Sequence, residues 1–563
     1  MTVVLLSNSC EPSRAILTLM EDEIIAYQIS MIHMGKGSYH LRIDGILNGN
    51  ASGETDLVLP SSWGGKQKLF KAVRNLSSIS EGVTGTWSAD SIYTLQHEPD
   101  QLINFSYELV PLFAGDLIKR DSAYLQLMQK DYFHFIGTTA FVYPSLAMDP
   151  EKSMVSLSWK GFPNQWAIHN SYGAGHERQR LEANDGRWLQ AVFVGGDFRT
   201  HRLEVKENQV DLALRGTWNF PDSVLVTKLK RIITTQRDFW NDHSDPYYTV
   251  TLIPLNDSTQ CCSYMGTGLT HSFATFAHNF EGVLGGLEYL FSHELMHHWI
   301  GSTIQNDQPE ELKYWFSEGF TDYFTQLILR ECGFVDTAGF VSNINKLLME
   351  HYASSVREAT NEDIKTNFWL NPEFERLPYR RGAIFAFYLD AAIKEHSQNE
   401  YELKDAMKDL LEVCKNKQLV LTDSLFLSRI REYLPQDLKT FMQVHLDQGH
   451  LIELNPNSLG PQFDLTYKPV MEYDLGFDFE RSKTTNRIVG VRQGSAAYAS
   501  GLRDGQQLTG YSVAYGNMTK LINLTVVSDG ISIDIKYLPQ REKPELGLVP
   551  QFVARPTSSE LLL

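Results

Sequence analysis

The sequence predicts a multidomain α+β protein with a β-sandwich-like N-terminal domain, a mainly helical middle domain and a small β-rich C-terminal domain. Three observations predict it. At 563 residues the chain exceeds what one ordinary core supports, so two to four domains are expected. Short β-rich segments separated by Gly, Pro, Asn and Asp fill the first two hundred or so residues, after which apolar residues recur by threes and fours. Beyond a Pro-, Asn- and Gly-rich stretch the β pattern returns.

In chain order, residues 1–20 form an N-terminal lead and 21–218 the β-rich domain. Segments Ile24–Ile32, Tyr39–Ile43, Leu102–Leu109, Met154–Trp159 and Trp188–Phe193 read as its strands. At Pro221 the character changes. Asp222 is placed to cap a helix running to about Trp240, with Val224, Leu225, Leu229, Ile232 and Ile233 on its apolar face. Tyr247–Leu255 reads as a strand. Helical patterns cover Glu281–Ile304, Glu311–Cys332, Gly382–Lys394 and Lys404–Cys414, completing a middle domain over 219–454. Residues 455–466 read as a linker, 467–545 as the β-rich module and 546–563 as a tail.

Composition narrows the function classes. Hydrophobic residues at 42% and charged residues at 21% fit a soluble globular chain. A formal net charge of −18 argues against a nucleic-acid partner, because a phosphate backbone requires a basic footprint. The 5 cysteines, with Cys261-Cys262 adjacent and not expected to pair, disfavour a disulfide-built scaffold. The apolar opening Met1–Leu6 lacks a basic start and is short for an export signal, and no run of eighteen apolar residues appears. The compartment expected by default is the cytoplasm, or the periplasm or exterior if a leader is missing.

The chemistry is concentrated at His293-Glu294-Leu295-Met296-His297. Histidines four apart lie on one helix face, so both imidazoles reach one metal ion. Glu294 between them is placed to take a proton from water rather than to bind the metal. Glu318, some twenty positions on in a second helical stretch, supplies a third ligand. His, His and Glu leave a fourth tetrahedral position open, as a catalytic zinc site requires and a structural one does not. The competing reading is a core helix whose histidines satisfy each other or the backbone. Asp322, one turn beyond Glu318, is a candidate to orient a liganding imidazole, or a solvated helix-face residue. His298 points some 100° from His297 and reads as a packing residue.

These residues, with Phe316–Tyr323, Pro378-Tyr379-Arg380-Arg381-Gly382 and, more loosely, Thr55–Pro60 with Trp63 and Gly64, resemble the glycyl aminopeptidase family of thermolysin-like zinc metallopeptidases. The His298-Trp299 pair and the gap to Glu318 are also similar to the larger aminopeptidase family that includes the leukotriene hydrolase. The resemblance implies a thermolysin-like catalytic domain, one zinc ion and a peptide or protein substrate. It also implies Glu294 as general base and acid, and Tyr379 as a donor to the developing oxyanion. Arg380 and Arg381 are expected in solvent, a substrate carboxylate being the alternative. Asp474-Leu475-Gly476-Phe477 and Val491–Gly505 resemble a PDZ domain. That implies a peptide-binding loop at Leu475, Gly476 and Phe477 for a peptide C-terminus, beside an exposed strand edge.

One departure stands out. Aminopeptidases of both families carry a Gly-x-x-Glu segment about two dozen residues before the zinc helix, and its glutamate holds the substrate's free ammonium. The corresponding segment here is Gly266-Thr267-Gly268-Leu269-Thr270-His271, with Thr270 where the glutamate belongs and Gly268, Leu269, Thr270 and His271 expected to bind substrate. A hydroxyl does not neutralise an ammonium. Glu288 lies on the metal helix itself, one turn before His293, and is not equivalent. The sequence therefore permits an endopeptidase, an altered exopeptidase or a weakly active relative. The alternative function is a zinc-containing peptide-binding protein acting through its PDZ-like module.

Overall fold

A computed structural model describes residues 17–35, 38–112, 118, 122–145, 154–175, 178–183, 186–256 and 262–555. Most of the N-terminal lead and the end of the tail lie outside them. The chain divides into two compact units, Met1–Leu295 and Met296–Leu563.

In the first unit three sheets bury one apolar core. A 6-stranded sheet centres on Glu23–Gly35 and Ser38–Asn48, a 5-stranded sheet on Tyr132–Ile136 and Val192–Gly196, and a 4-stranded sheet on Glu54–Val58 and Ile92–Gln96. Alternation drives this arrangement. In Leu102–Leu109, Ile103, Phe105, Tyr107 and Leu109 are all buried while the residues between them face outward. Tyr27, Phe105, Phe133, Phe135 and Phe193 join one cluster fed by two of the sheets, and Leu57 and Leu95 add the third. The stretch Trp188–Phe193 is not one strand. Gly186, at φ 71°, turns the chain into a 3-10 turn over Arg187–Gln190, and the strand starts only at Val192.

A further 5-stranded sheet in this unit carries the chemistry. Its order is Arg199–Val205, Asn208–Leu214, Tyr247–Pro254, Ser272–Ala277, Tyr264–Leu269. It thus begins well before Pro221, where composition shifts. Asn208–Leu214, Tyr247–Pro254 and Ser272–Ala277 run parallel, and the first parallel step needs a crossover. Helix Asp222–Trp240 provides it, burying Leu225, Leu229, Ile232 and Ile233. Two expectations for this helix need correction. Val224 is exposed. Pro221 occupies the cap position and Asp222 caps nothing; its carboxylate instead accepts from Arg199 Nε at 2.7 Å and Nη2 at 2.9 Å. Those bonds, then His201, hold it down at a pKa of about 2. Cys262 is disulfide-bonded, while Cys261 lies outside the described residues.

The second unit is helical before it is β. Gly319–Glu331 packs against Pro372–His396, and Thr337–Ala353 lies on the same long helix. Trp315, Phe316, Phe320, Phe385 and Phe426 form an aromatic core, with ring centroids 5.1 to 6.4 Å apart. Cys332 and Cys414 are buried free thiols. Phe463–Pro469 pairs with Leu548–Ala554, so a strand begins inside the expected linker and another lies inside the expected tail. This ribbon is fastened to Thr337–Ala353. Asn345 accepts from the Phe552 N–H at 2.8 Å and donates to its carbonyl at 2.8 Å. A separate small core gathers Phe477, Ile488, Leu502, Leu524 and Val526 under the sheet Gln507–Ser512, Ile522–Ser528, Ile531–Tyr537.

Candidate active site

The metal helix spans Val283–Met296, ending eight residues before the expected Ile304, and turns follow it. Val283, Leu287, Phe291 and Leu295 bury one side of it, which fixes the helix roll and with it the direction of His293. Buried Gln236 adds a polar clamp, donating to the Ser292 carbonyl at 2.6 Å and to its hydroxyl at 2.9 Å.

His293, His297 and Glu318 each offer one ligand atom, all within 4.8 Å of one another. His297 Nε2 and Glu318 Oε2 are 3.5 Å apart. Tetrahedral bonds of about 2.0–2.1 Å to zinc place two donor atoms about 3.4 Å apart, so the pair fits the ion. The imidazole of His297 is aimed from behind, since its Nδ1–H donates to the Ile300 carbonyl at 3.1 Å. That bond would leave Nε2 as the atom to meet a metal ion. His293 is buried and its ring stacks on Tyr289. Glu318 is not in mid-helix. It is the junction between Tyr314–Ser317 and Gly319–Glu331, at φ −95° and ψ −46°. Its N–H still donates to Tyr314 and its carbonyl accepts from Asp322, so the backbone ladder carries through. Asp322 is half-buried on the following turn. His298 packs edge-on against buried Trp299.

Glu294 is held by the sheet. The Gly268 N–H donates to its Oε2 at 2.8 Å, which fixes that carboxylate oxygen against the strand. Gly268 belongs to Tyr264–Leu269, the edge strand of its sheet. A Cβ on Gly268 would sit 3.0 Å from the Glu294 carbonyl oxygen, so the close approach favours glycine.

Leu269 ends that strand, and Thr270 and His271 form the hairpin turn to Ser272. Thr270 donates its hydroxyl to the Arg187 carbonyl at 2.8 Å and its N–H to the Gln190 carbonyl at 3.0 Å. His271, at φ 45°, has Nδ1 3.1 Å from Asp245. Glu288 ion-pairs with Lys228 at 2.8 Å.

Tyr379 stands in the second turn of Pro372–His396, half-buried against a cluster of Tyr314, Ile364, Phe368 and Leu377. Tyr314 escaped the sequence reading, although its spacing of four from Glu318 puts it on the same face. Burial raises its pKa first, then the charges of Glu310, Glu311 and Glu318, so its phenol keeps its proton. The two arginines are not in solvent. Arg380 pairs with Glu373 at 3.4 Å and Glu350 at 3.8 Å. Arg381 is buried and donates to the carbonyls of Leu446, Arg357 and Ala359.

The expected carboxylate loop is committed within its own module. The Gly476 N–H donates to Asp474 at 2.9 Å, the Leu475 carbonyl accepts from the Tyr537 hydroxyl at 2.6 Å, and Phe477 is buried. The chain then enters helix Phe479–Thr485 rather than a strand whose edge could pair with a peptide.

Residues 286–445 match the family model described as Peptidase family M1 domain. That stretch, which includes His293, His297 and Glu318, is similar to the catalytic domain of the M1 peptidases, and it bears on what the protein does. The protein is a zinc-dependent peptide hydrolase using one catalytic zinc ion. The fold agrees with that of an aminopeptidase N family protein from Idiomarina loihiensis, with a TM-score of 0.67 at 16% identity, covering 94% of this chain and 98% of that one. An M1 zinc metallopeptidase from Deinococcus radiodurans is also similar, with a TM-score of 0.45 at 13% identity, covering 77% and 95%. No curated protein matches the chain.

Proposed function

We propose that this M1-type peptidase cleaves extended polypeptides without needing a free N-terminal amine. The observation that carries the reading is where two side chains are spent. Thr270, in the slot of the aminopeptidase glutamate, gives its hydroxyl to the Arg187 carbonyl, and Glu288 is bound to Lys228. An ammonium bound at that turn would meet a neutral hydroxyl oxygen, which does not balance its charge, and no carboxylate from either residue.

His293, His297 and Glu318 would hold the zinc. Zinc supplies Lewis acidity and acidifies the attacking water. Glu294 takes the water's proton and returns it to the departing amine, with Gly268 keeping its other oxygen fixed throughout. Tyr379, matched by motif, donates a hydrogen bond from its phenol to the oxyanion as charge develops. Apart from the Gly268 N–H, which Glu294 occupies, the outer backbone groups of Tyr264–Leu269 offer a substrate one more antiparallel or parallel partner. The tyrosine motif and the Glu318 segment support a place beside the glycyl aminopeptidases.

The test is a set of matched peptides with free and N-acetylated termini. Chelator-sensitive, zinc-restored hydrolysis at rates equal within about threefold is expected, since no binding energy comes from the amine. A loss of more than about tenfold on acetylation would assign the amine to another acid.

A further inference from the structure

Arg381 presents an imbalance. Its guanidinium is 2% exposed, and its partners are three backbone carbonyls with no carboxylate among them. Its Nε has no hydrogen-bond partner among the described residues. Beside it lies His351, 4% exposed, at the end of Thr337–Ala353, whose Nδ1 is likewise without a partner. Burial, then Arg381, Arg380 and Arg357 in that order, lowers the His351 pKa to about 3, so the imidazole is neutral at physiological pH. Among the described residues Arg357 also donates only to carbonyls, those of Tyr352 and Leu546. The nearby acids, Glu350 and Glu373, pair with Arg380.

Two guanidinium charges therefore share one partly desolvated region with a neutral histidine, and among the described residues neither is ion-paired to an acid. Carbonyl dipoles reduce the cost of a buried cation without cancelling its charge. A water molecule could satisfy an orphan N–H but would leave the charge standing. A monovalent anion does both, and the histidine tautomer carrying its proton on Nδ1 adds a donor. We propose that a small inorganic anion, chloride in an ordinary salt solution, binds between Arg381, His351 and Arg357. The site is separate from the metal ligands and independent of the substrate reading above. Half-buried Arg357 provides the route in.

The test uses the zinc-loaded full chain. Thermal unfolding is followed as chloride replaces gluconate from about 1 to about 100 mM at constant ionic strength. A saturable rise in Tm of about 2 °C or more is expected. Arg357→Gln should abolish the response while still folding, because that side chain is partly exposed. Crystals soaked in bromide should show an anomalous peak against Arg381. Identical Tm values in the two salts, an undiminished response in Arg357→Gln, or bromide bound only elsewhere would each overturn the proposal, the first leaving a buried water as the partner.

Discussion

Gly319 and Gly382 meet backbone to backbone where the helix after Glu318 crosses the helix carrying Tyr379. A Cβ on Gly382 would lie 2.9 Å from the Gly319 Cα and would overlap the Trp315 carbonyl oxygen outright. A β-carbon at either position thus pushes the two helices apart. The contact fixes how the residue following a metal ligand sits against the residues following Tyr379.

Gly382→Ala is therefore expected to lower stability by about 2–3 kcal/mol, the usual cost of overpacking, and to cut hydrolysis as the helices separate. Gly285→Ala is the control. A Cβ there meets nothing within 4 Å, and the substitution should be neutral or stabilise by about 0.5–1 kcal/mol. Urea midpoints and peptide hydrolysis on both variants check the contrast.

Glu294→Gln should keep its zinc and lose hydrolysis by at least about 10²-fold, because an amide cannot accept the water's proton. His293→Ala should lose the metal. Elemental analysis separates the two defects, and activity of Glu294→Gln within a few-fold of the parent would remove Glu294 as the base.

Thr270→Glu places a carboxylate in the turn at the end of the edge strand. It should raise cleavage of free glycyl or alanyl termini over their acetylated forms by about tenfold or more, provided the turn survives losing its bond to Arg187. Thr270→Val isolates that loss, with an expected cost of about 1 kcal/mol and an unchanged preference.

His134 is fully buried, and burial takes its pKa from 6.5 to about 3. As the pH falls below 6.5 the unfolded chain gains a proton that the folded chain refuses, so stability present at neutral pH is lost toward pH 3. By about pH 5 the loss reaches about 2 kcal/mol for one such group. His134→Leu should flatten the acid side of a pH–stability curve by that amount, measured by urea unfolding from about pH 7.5 to 5.

The metal ligands were legible because helix periodicity alone sets which residues share a face. Two imidazoles four apart need no tertiary information to share a face, whereas the approach of Glu318 to them comes from the fold. The roles of Thr270 and Arg381 needed it. What each side chain touches, the Arg187 carbonyl in one case and the Leu446 and Ala359 carbonyls in the other, lies far away in sequence. Helix ends failed for a related reason. The apolar spacing through Trp299 and Ile300 persists after the helix has stopped, because both residues remain buried in the turns that follow. Near Leu475 the sequence carried a familiar loop, but it did not reveal that Phe479–Thr485 would coil into a helix.

The outermost strand, Tyr264–Leu269, has a further implication through the margin that no other strand pairs with among the described residues. A polypeptide can zip onto that margin only as a stretched ribbon, with its own amides turned outward. Compact proteins and stable helices would be passed over until they loosened, so the enzyme would discriminate by the unravelled state of its target before any side chain was inspected.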